Sequence, residues 1–422
     1  MDRNYSRFPR WAIASYAVVA LLVSACAGGA ESPEADDAAA ETDESPGEIE
    51  TESSEEPIRL GALMPISGPG AQIGESAQLG VELAVDEINE AGGVGGRLIE
   101  LTIGDTEADP TSGVSEARRM IEREDVHIVV GPTYSQVTLA VQPILNSAGV
   151  ASINVSGTEE LTPDTAQYSF SFLVNATSQA EMMVDFAVDE LSASSVAILA
   201  DIGDQAISAV ASMESELARR GVDVLGVQDF EYGATDLSPQ ILDLRSGDPD
   251  VLLLFSSTGD DTGHFLRSRD EVGWDIPVVG SYGAALSGPA LSIAGDDAYR
   301  DVVGINYAGF TYCEGEDEAE DISAFMESAR DFNERVAERS PYNYVAVWYD
   351  AVYLLASAIE ATGSTDGPTL TEWIEENSSA FDGLNGSLSA SAENHFLIGP
   401  DNLAIVHPDR ERTGGIQERA DC

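Results

Sequence analysis

The sequence predicts an α/β protein made of two doubly wound domains, each a mainly parallel sheet with helices on both faces. Three observations predict it. Short apolar runs rich in Val, Ile and Leu recur along the chain, as expected of strands buried on both faces. Stretches of helical period alternate with these runs, so successive strands must be joined by crossovers. Gly- and Pro-containing turns separate the two kinds of segment.

The clearest unit is Val126–Leu161. Val126–Val130 is a β-branched run that stops at Gly131-Pro132. Val137, Leu139, Ala140, Val141, Ile144 and Leu145 form one helix face, which Gly149 ends, and Val150–Val155 is the next strand. A right-handed βαβ crossover follows. It delivers Tyr134-Ser135 and Ser156-Gly157-Thr158 to the carboxyl edge of the sheet, where open α/β folds bind ligands. A helix start with spare N–H groups and a Ser hydroxyl suits a carboxylate or another negative group.

The same alternation organises the rest. Ile58–Gly68 reads as a buried strand running into a Ser-Gly-Pro-Gly loop, and Gln78–Ala91 as a helix. The Gly-rich turn Gly92–Gly96 follows a helix and precedes a strand, the reverse of a dinucleotide loop. Asp109–Glu124 is a helix capped by Asp109 with Pro110 in its first position. Strands are expected at 168–173, 195–201, 222–230, 251–255, 277–280 and 301–310. Helices are expected at 178–191, 205–220, 237–245, 262–272, 321–338 and 344–361, and short strands near 386–389, 395–398 and 403–406.

At 422 residues, the chain has room for two or three domains. Its 75 acidic and 20 basic residues give a formal net charge of −55, and every one of the basic residues is Arg. Such a surface repels phosphate backbones and excludes nucleic acid as a partner. The acidity reads as salt adaptation or solubility rather than cation binding. Three cysteines are too few for a disulfide scaffold. The four histidines are scattered, with no metal spacing. Asp105, Glu107 and Asp109 lack the Gly and closing Glu of a calcium loop, so no metal site is expected. No nucleophile elbow or phosphate loop is present, and neither an enzymatic activity nor a cofactor is expected.

Residues 1–26 form a targeting segment. Arg3, Arg7 and Arg10 precede an apolar run, Trp11–Ala25, that is short for a bilayer span. Its end, Leu22-Val23-Ser24-Ala25-Cys26, resembles the lipobox of bacterial lipoproteins, which implies lipidation of Cys26 and an extracytoplasmic, membrane-anchored protein. Residues 27–57, dense in Glu, Asp, Ser and Ala, read as a disordered acidic tether with a reach of about 30 Å or more.

Five segments, IRLGALMPISGPGAQIGESAQLGVELAVDEINEAGGVGGRLIEL, IVVGPTYSQVTLAVQPIL, GVASINVSGTEEL, FLVNATSQAEMMVDFAVDEL and VWYDAVYLLASAIE, carry a family likeness. Through them the chain from Ile58 to Val406 resembles type I periplasmic binding proteins, in the leucine/isoleucine/valine-binding branch that serves ABC transporters. The resemblance implies two Rossmann-like lobes joined by a three-crossover hinge, residues 58–174 plus 311–381 and residues 175–310 plus 382–422. A small solute, an amino acid (branched-chain or aliphatic) or a related carboxylate or amide, would bind between them for delivery to permease and ATPase subunits. The protein would act as a monomer. A sensory ectodomain of the same fold is the alternative.

Carried over by position, the resemblance implies that Ser135 grips the ligand carboxylate beside Tyr134, with Ser156 and Thr158 on the next loop. Ser67 and Ile73 would line the mouth, and Tyr344 would close the pocket. The second lobe would contribute Gln205, Thr258 and Tyr282. The sequence departs from the family pattern at Gln205-Ala206, where a Tyr-Gly pair is usual, and at Tyr282, near where a Glu pairs with the ligand ammonium. Asp201, Asp260 or Asp261 takes that task, or the ligand is not an ordinary α-amino acid; the Tyr282 ring can also face a cation or stack on an aromatic ligand. In an exported chain Cys313 and Cys422 are free to oxidise, and a disulfide tying down the C-terminal tail is expected in preference to two free thiols.

Overall fold

A computed structural model describes residues 56–422 apart from 296, 318 and 413. The expected signal segment, Cys26 and nearly all of the expected tether lie outside the described residues.

The first sheet is built from β1 (Ile58–Met64), β2 (Ile99–Asp105), β3 (Ile128–Val130), β4 (Ala151–Asn154) and β5 (Ser169–Ser171). All five are parallel, in the order β2-β1-β3-β4-β5. The connecting helices are α1 (Ala71–Glu90), α2 (Pro110–Arg123) and α3 (Ser135–Ala148). Asp109 caps α2 as its sequence demands, accepting from Thr111 N and Ser112 N at 2.9 Å each. Gly149, at φ +65°, ends α3. The pleat sorts β1 between two cores: Ile58, Leu60, Ala62 and Met64 pack with α1, whereas Leu63 packs with α2 and α3.

The second sheet follows α4 (Ala176–Asp185), whose last turn widens into a π-helical stretch over Phe186–Glu190. Its elements are β6 (Ser195–Asp201), α5 (Asp204–Arg220), β7 (Asp223–Phe230), α6 (Ser238–Arg245), β8 (Val251–Phe255), α7 (Gly259–Glu271) and β9 (Val278–Gly280). After these come α8 (Tyr282–Ala285), α9 (Ser287–Ala294), β10 (Val302–Tyr307) and β11 (Thr311–Tyr312). The chain then runs through α10 (Glu320–Ala337), α11 (Tyr342–Thr362), α12 (Gly367–Asn377), the small hairpin β12 (Asp382–Gly383) and β13 (Gly386–Ser387), β14 (Leu403–Arg412) and β15 (Ile416–Arg419). The sheet order is β11-β15-β14-β10-β9-β8-β6-β7, parallel from β7 to β10 and antiparallel at β14 and β15. Alternate residues again face different cores: Val196 and Ile198 toward α4 and α5, Ala197 and Leu199 toward α6 and α7.

Helix α11 is apolar enough to span a bilayer by length and composition, but it is the core helix of the first lobe and is mostly buried. It lies so close to α1 that a Cβ on Gly80 would stand 2.3 Å from Val345 O and 3.0 Å from Trp348 Cβ. Helix α10 also packs on α1, and α12 on β4.

The division of the C-terminal part differs from expectation. The β12–β13 hairpin is held by the Asp350 carboxylate of α11, which accepts from Leu384 N (3.1 Å), Asn385 N (3.1 Å) and Asn385 Nδ2 (2.9 Å). The segment after it adds to the free edge of β5: Ser171 N donates to His395 O (2.9 Å), and Leu397 N to Ser171 O (2.8 Å). The hairpin is thus a separate two-stranded sheet seated on α11, and residues 395–397 lie along β5, so both pack on the first lobe and not on the second sheet. Only β14 and β15 return, and β11 pairs with β15, so the passage out of the second sheet follows Tyr312. These pieces are short and rich in Gly, Ser and Asn, so an open sheet edge and a buried carboxylate decide their place. Strand β15 and helices α8, α9 and α12 were not expected; the strand expected at 395–398 is a single bridge from Phe396 to Ser171. A disulfide joins Cys313, just after β11, to Cys422, with Cα atoms 5.7 Å apart.

Candidate functional site

The carboxyl ends of the two sheets face one another across a cleft of about 290 Å³. The first lobe contributes the start of α1, the loop from β3 into α3 and the start of α11; the second contributes the starts of α5 and α7 and the loops after β7 and β9. This is where doubly wound sheets place ligands.

On the first-lobe side, Ser135 opens α3. Behind it runs a one-step hydroxyl relay in which Ser156 Oγ donates to Ser135 Oγ (2.9 Å), and Ser171 Oγ braces the Ser156 main chain by donating to its carbonyl O (2.6 Å). Because Ser135 accepts from the relay, its own proton is left for a partner in the cleft. Ser156 and Thr158 are buried at 1% and 0% exposure and are not part of the cleft wall. The Ser156 hydroxyl is taken up by Ser135, and Thr158 Oγ1 accepts from Glu160 N (3.4 Å). Ser67 also stands off the wall. Its hydroxyl donates to Asp105 (2.6 Å), which accepts as well from Ile66 N, Ser67 N and Glu107 N. Partial burial works against the Asp105 charge, but these hydrogen bonds outweigh it and hold its carboxyl below the usual range. Asp105 and Asp109 thus pin a loop and cap a helix. Among the described residues no cluster of His, Cys, Asp or Glu could hold a metal ion.

Ile73, Tyr134 and Tyr344 do line the cleft, as do Gln205, Thr258 and Tyr282 opposite them. Tyr134 and Gln205 of the cleft wall each touch the opposite lobe. Tyr134 meets Tyr232 edge-on, ring centroids 6.3 Å apart. Gln205 lies against Gly157 so closely that a Cβ there would stand 2.0 Å from its Nε2. Thr258 caps α7 by accepting from Asp261 N (3.1 Å) and donates to Asp261 Oδ2 (2.8 Å), while Asp261 Oδ1 takes Gly233 N (2.8 Å). Burial raises the Asp261 pKa. Asp201, just behind the wall, accepts from Gly203 N and Ser257 N at 2.8 Å each, and burial pushes its pKa up to about 6. Both carboxylates are engaged with the backbone of their own lobe; Asp260, beside them on the wall, is exposed.

Three hydroxyls on the wall, those of Thr133, Tyr282 and Tyr344, are buried without a hydrogen bond of acceptable geometry. The Tyr282 ring packs on Tyr307 (5.1 Å), and its backbone N–H donates to Gln179 (3.0 Å). The charged groups on the wall are all acidic: Glu107, Asp260 and Asp261, with no Arg or His among the described lining residues. Sequence reasoning missed Thr133 and Tyr232. Both sit just beyond strand carboxyl ends, in Gly131-Pro132-Thr133 and Phe230-Glu231-Tyr232-Gly233, so the same edge rule that singled out Ser135 would have found them.

A model of the periplasmic binding protein family matches residues 57–411. The chain belongs to this family. Leu/Ile/Val-binding protein homologs 7 and 8 of Brucella abortus are each 27% identical to it over 263 residues, 60% of this chain. The chain spans about 65% of the length of these curated relatives in the match. Three solved structures share the fold. A type 1 periplasmic binding protein from Bordetella pertussis Tohama I has TM-score 0.74 and 21% identity, covering 86% of this chain and 98% of that one. The branched-chain amino acid transporter substrate-binding protein LivJ from Streptococcus pneumoniae, in complex with isoleucine, has TM-score 0.72 and 23% identity, covering 86% and 97%. A solute-binding protein of an ABC transporter from R. palustris, in complex with 4-hydroxybenzoate, has TM-score 0.71 and 18% identity, covering 86% and 95%. At these identities the likeness establishes the type I periplasmic binding protein fold, with its two α/β lobes.

Proposed function

We propose that the protein is the extracytoplasmic solute-binding component of an ABC transporter, held to the membrane through lipidated Cys26 and handing its solute to permease and ATPase subunits. The solute is a small amino acid or a related carboxylate or amide. The observation that carries this reading is a cleft of amino-acid size whose polar groups come from both lobes, with a hydroxyl donor held ready on one side. Relatives named for Leu/Ile/Val binding, and fold neighbours holding isoleucine or 4-hydroxybenzoate, support the solute class.

The mechanism is differential binding. A carboxylate accepts from Ser135 and the first turn of α3, where the helix dipole favours negative charge. The second lobe adds Gln205 and Tyr282 only when the lobes are together, so the solute shifts the open–closed equilibrium by the contacts made in the closed form alone. No bond is made or broken. A thermal-shift screen of ligand-stripped protein against amino acids, amides and carboxylates tests this. A solute at 100 times its Kd should stabilise by about 2.7 kcal/mol, and Ser135→Ala should remove most of that gain. Equal stabilisation of the Ser135→Ala variant would move the site elsewhere.

A further inference from the structure

The two ends of the cleft differ in field. At one end Asp201, Asp260 and Asp261 all bear on Tyr134, and Asp201 bears on Tyr232. At the other, Tyr282 of the second lobe feels Tyr307 and Tyr344, and Tyr344 of the first feels Trp348, Tyr134 and Thr133; no charged side chain figures in either environment. Tyr282 and Tyr344 are each 6% exposed. Their hydroxyls, that of Thr133 and the indole N–H of Trp348 behind them are all buried without a hydrogen bond of acceptable geometry, although Trp348 and Thr133 stand beside the Tyr344 hydroxyl. Three of these four atoms belong to residues of the cleft wall.

These hydroxyls are shut from water when the lobes are together, and an aliphatic group at this end gives them no partner in exchange, a penalty on closure of roughly tenfold to a hundredfold in affinity for each one. A charged group would find no counter-charge there. A neutral group that both donates and accepts satisfies both conditions. We propose that the solute buries a neutral hydrogen-bonding end, a hydroxyl, carboxamide or ureido group, against Thr133, Tyr282 and Tyr344, and that the cleft discriminates against solutes with a purely hydrocarbon end. The inference rests on the solute-capture reading above and narrows its ligand class.

The test is calorimetric titration of the ligand-stripped full chain with pairs matched in shape: asparagine against leucine, threonine against valine, tyrosine against phenylalanine. In at least one pair the polar member should bind at least tenfold more tightly. Tyr282→Phe or Tyr344→Phe should shrink that preference about tenfold, because removing a hydroxyl removes the unpaired group that the hydrocarbon end offends. Equal or tighter binding of the hydrocarbon members overturns the inference while leaving solute capture intact. So does a preference unchanged in both variants. If no amino acid, amide or carboxylate binds, the solute-capture reading fails and the inference fails with it.

Discussion

The two walls of the cleft are built on different principles. In the first lobe, the Ser156 hydroxyl donates to that of Ser135, a one-way relay that leaves Ser135 its own proton, and Ser171 braces it from behind on the Ser156 main-chain carbonyl. In the second, the strongest polar groups close on themselves: Asp261 on Thr258 and Gly233, Asp201 on Gly203 and Ser257. On the proposed function, the first arrangement prepares a contact for the solute. The second stiffens three loops so that they meet the first lobe as one surface. A pre-formed grip and a stiffened cover suit a hinged trap better than two equal half-sites, because a grip made before closure lets the closing contacts be spent on selectivity.

If the second half is the stiffened one, breaking its braces should cost more stability than breaking the grip. The largest effect is expected at the disulfide. Its sequence separation of 109 makes the chain-entropy contribution about 4–5 kcal/mol. Cys313→Ser, compared with the oxidised parent by urea denaturation, should approach that loss while leaving solute affinity nearly unchanged, since neither cysteine lines the cleft.

The next contrast is in pH response. The relay hydroxyls do not ionise in the working range, whereas Asp201 does. Its pKa is raised to about 6 from 3.8, so the folded state holds the proton more tightly than the unfolded chain. The stability this contributes is fully present below about pH 4 and is lost as pH rises through about 6, a span of about 3 kcal/mol. Denaturation midpoints of the parent minus those of Asp201→Asn, followed from pH 4 to pH 7.5, should fall in that direction. A flat difference would mean that the two backbone N–H groups stabilise the Asp201 charge enough to cancel its burial.

Binding should show the reverse ranking. Ser135→Ala removes one hydrogen bond to a charged group, about 1.5–3 kcal/mol, or about tenfold to a hundredfold in Kd. It should cost the unliganded protein only about 1 kcal/mol, the price of leaving the Ser156 hydroxyl without its acceptor. A variant that lost stability but kept its Kd would make the relay a packing feature of the first lobe.

The same asymmetry governs how much was legible in the sequence. Ser135, Tyr134 and the relay loop lie in one continuous βαβ unit, where apolar period and turn residues fix the geometry locally. The alternation of elements through β9 was legible for the same reason. Asp201 and Asp261 sit in sequence beside many other acidic residues, and only burial by distant elements sets them apart. The hairpin at 382–387 and the segment on β5 are placed by Asp350 and by the open edge of a strand some 200 positions earlier. No period within those residues reports such partners.

Ser67 supplies the smallest expected effect and the sharpest test of what position alone can assign. Its place in the chain put it at the mouth, but the structure turns its hydroxyl to Asp105, where it helps hold the loop between β1 and α1. The residue is exposed, so water can replace the lost bond in Ser67→Ala, and the stability change should stay within about 0.5 kcal/mol. Calorimetric Kd values should change less than about twofold, because Asp105 keeps its three backbone donors and the α1 start keeps Ile73 on the wall. A tenfold loss of affinity would instead mean that the loop moves with the lobes and that Ser67 exchanges Asp105 for the solute, making the mouth of the first lobe part of the grip.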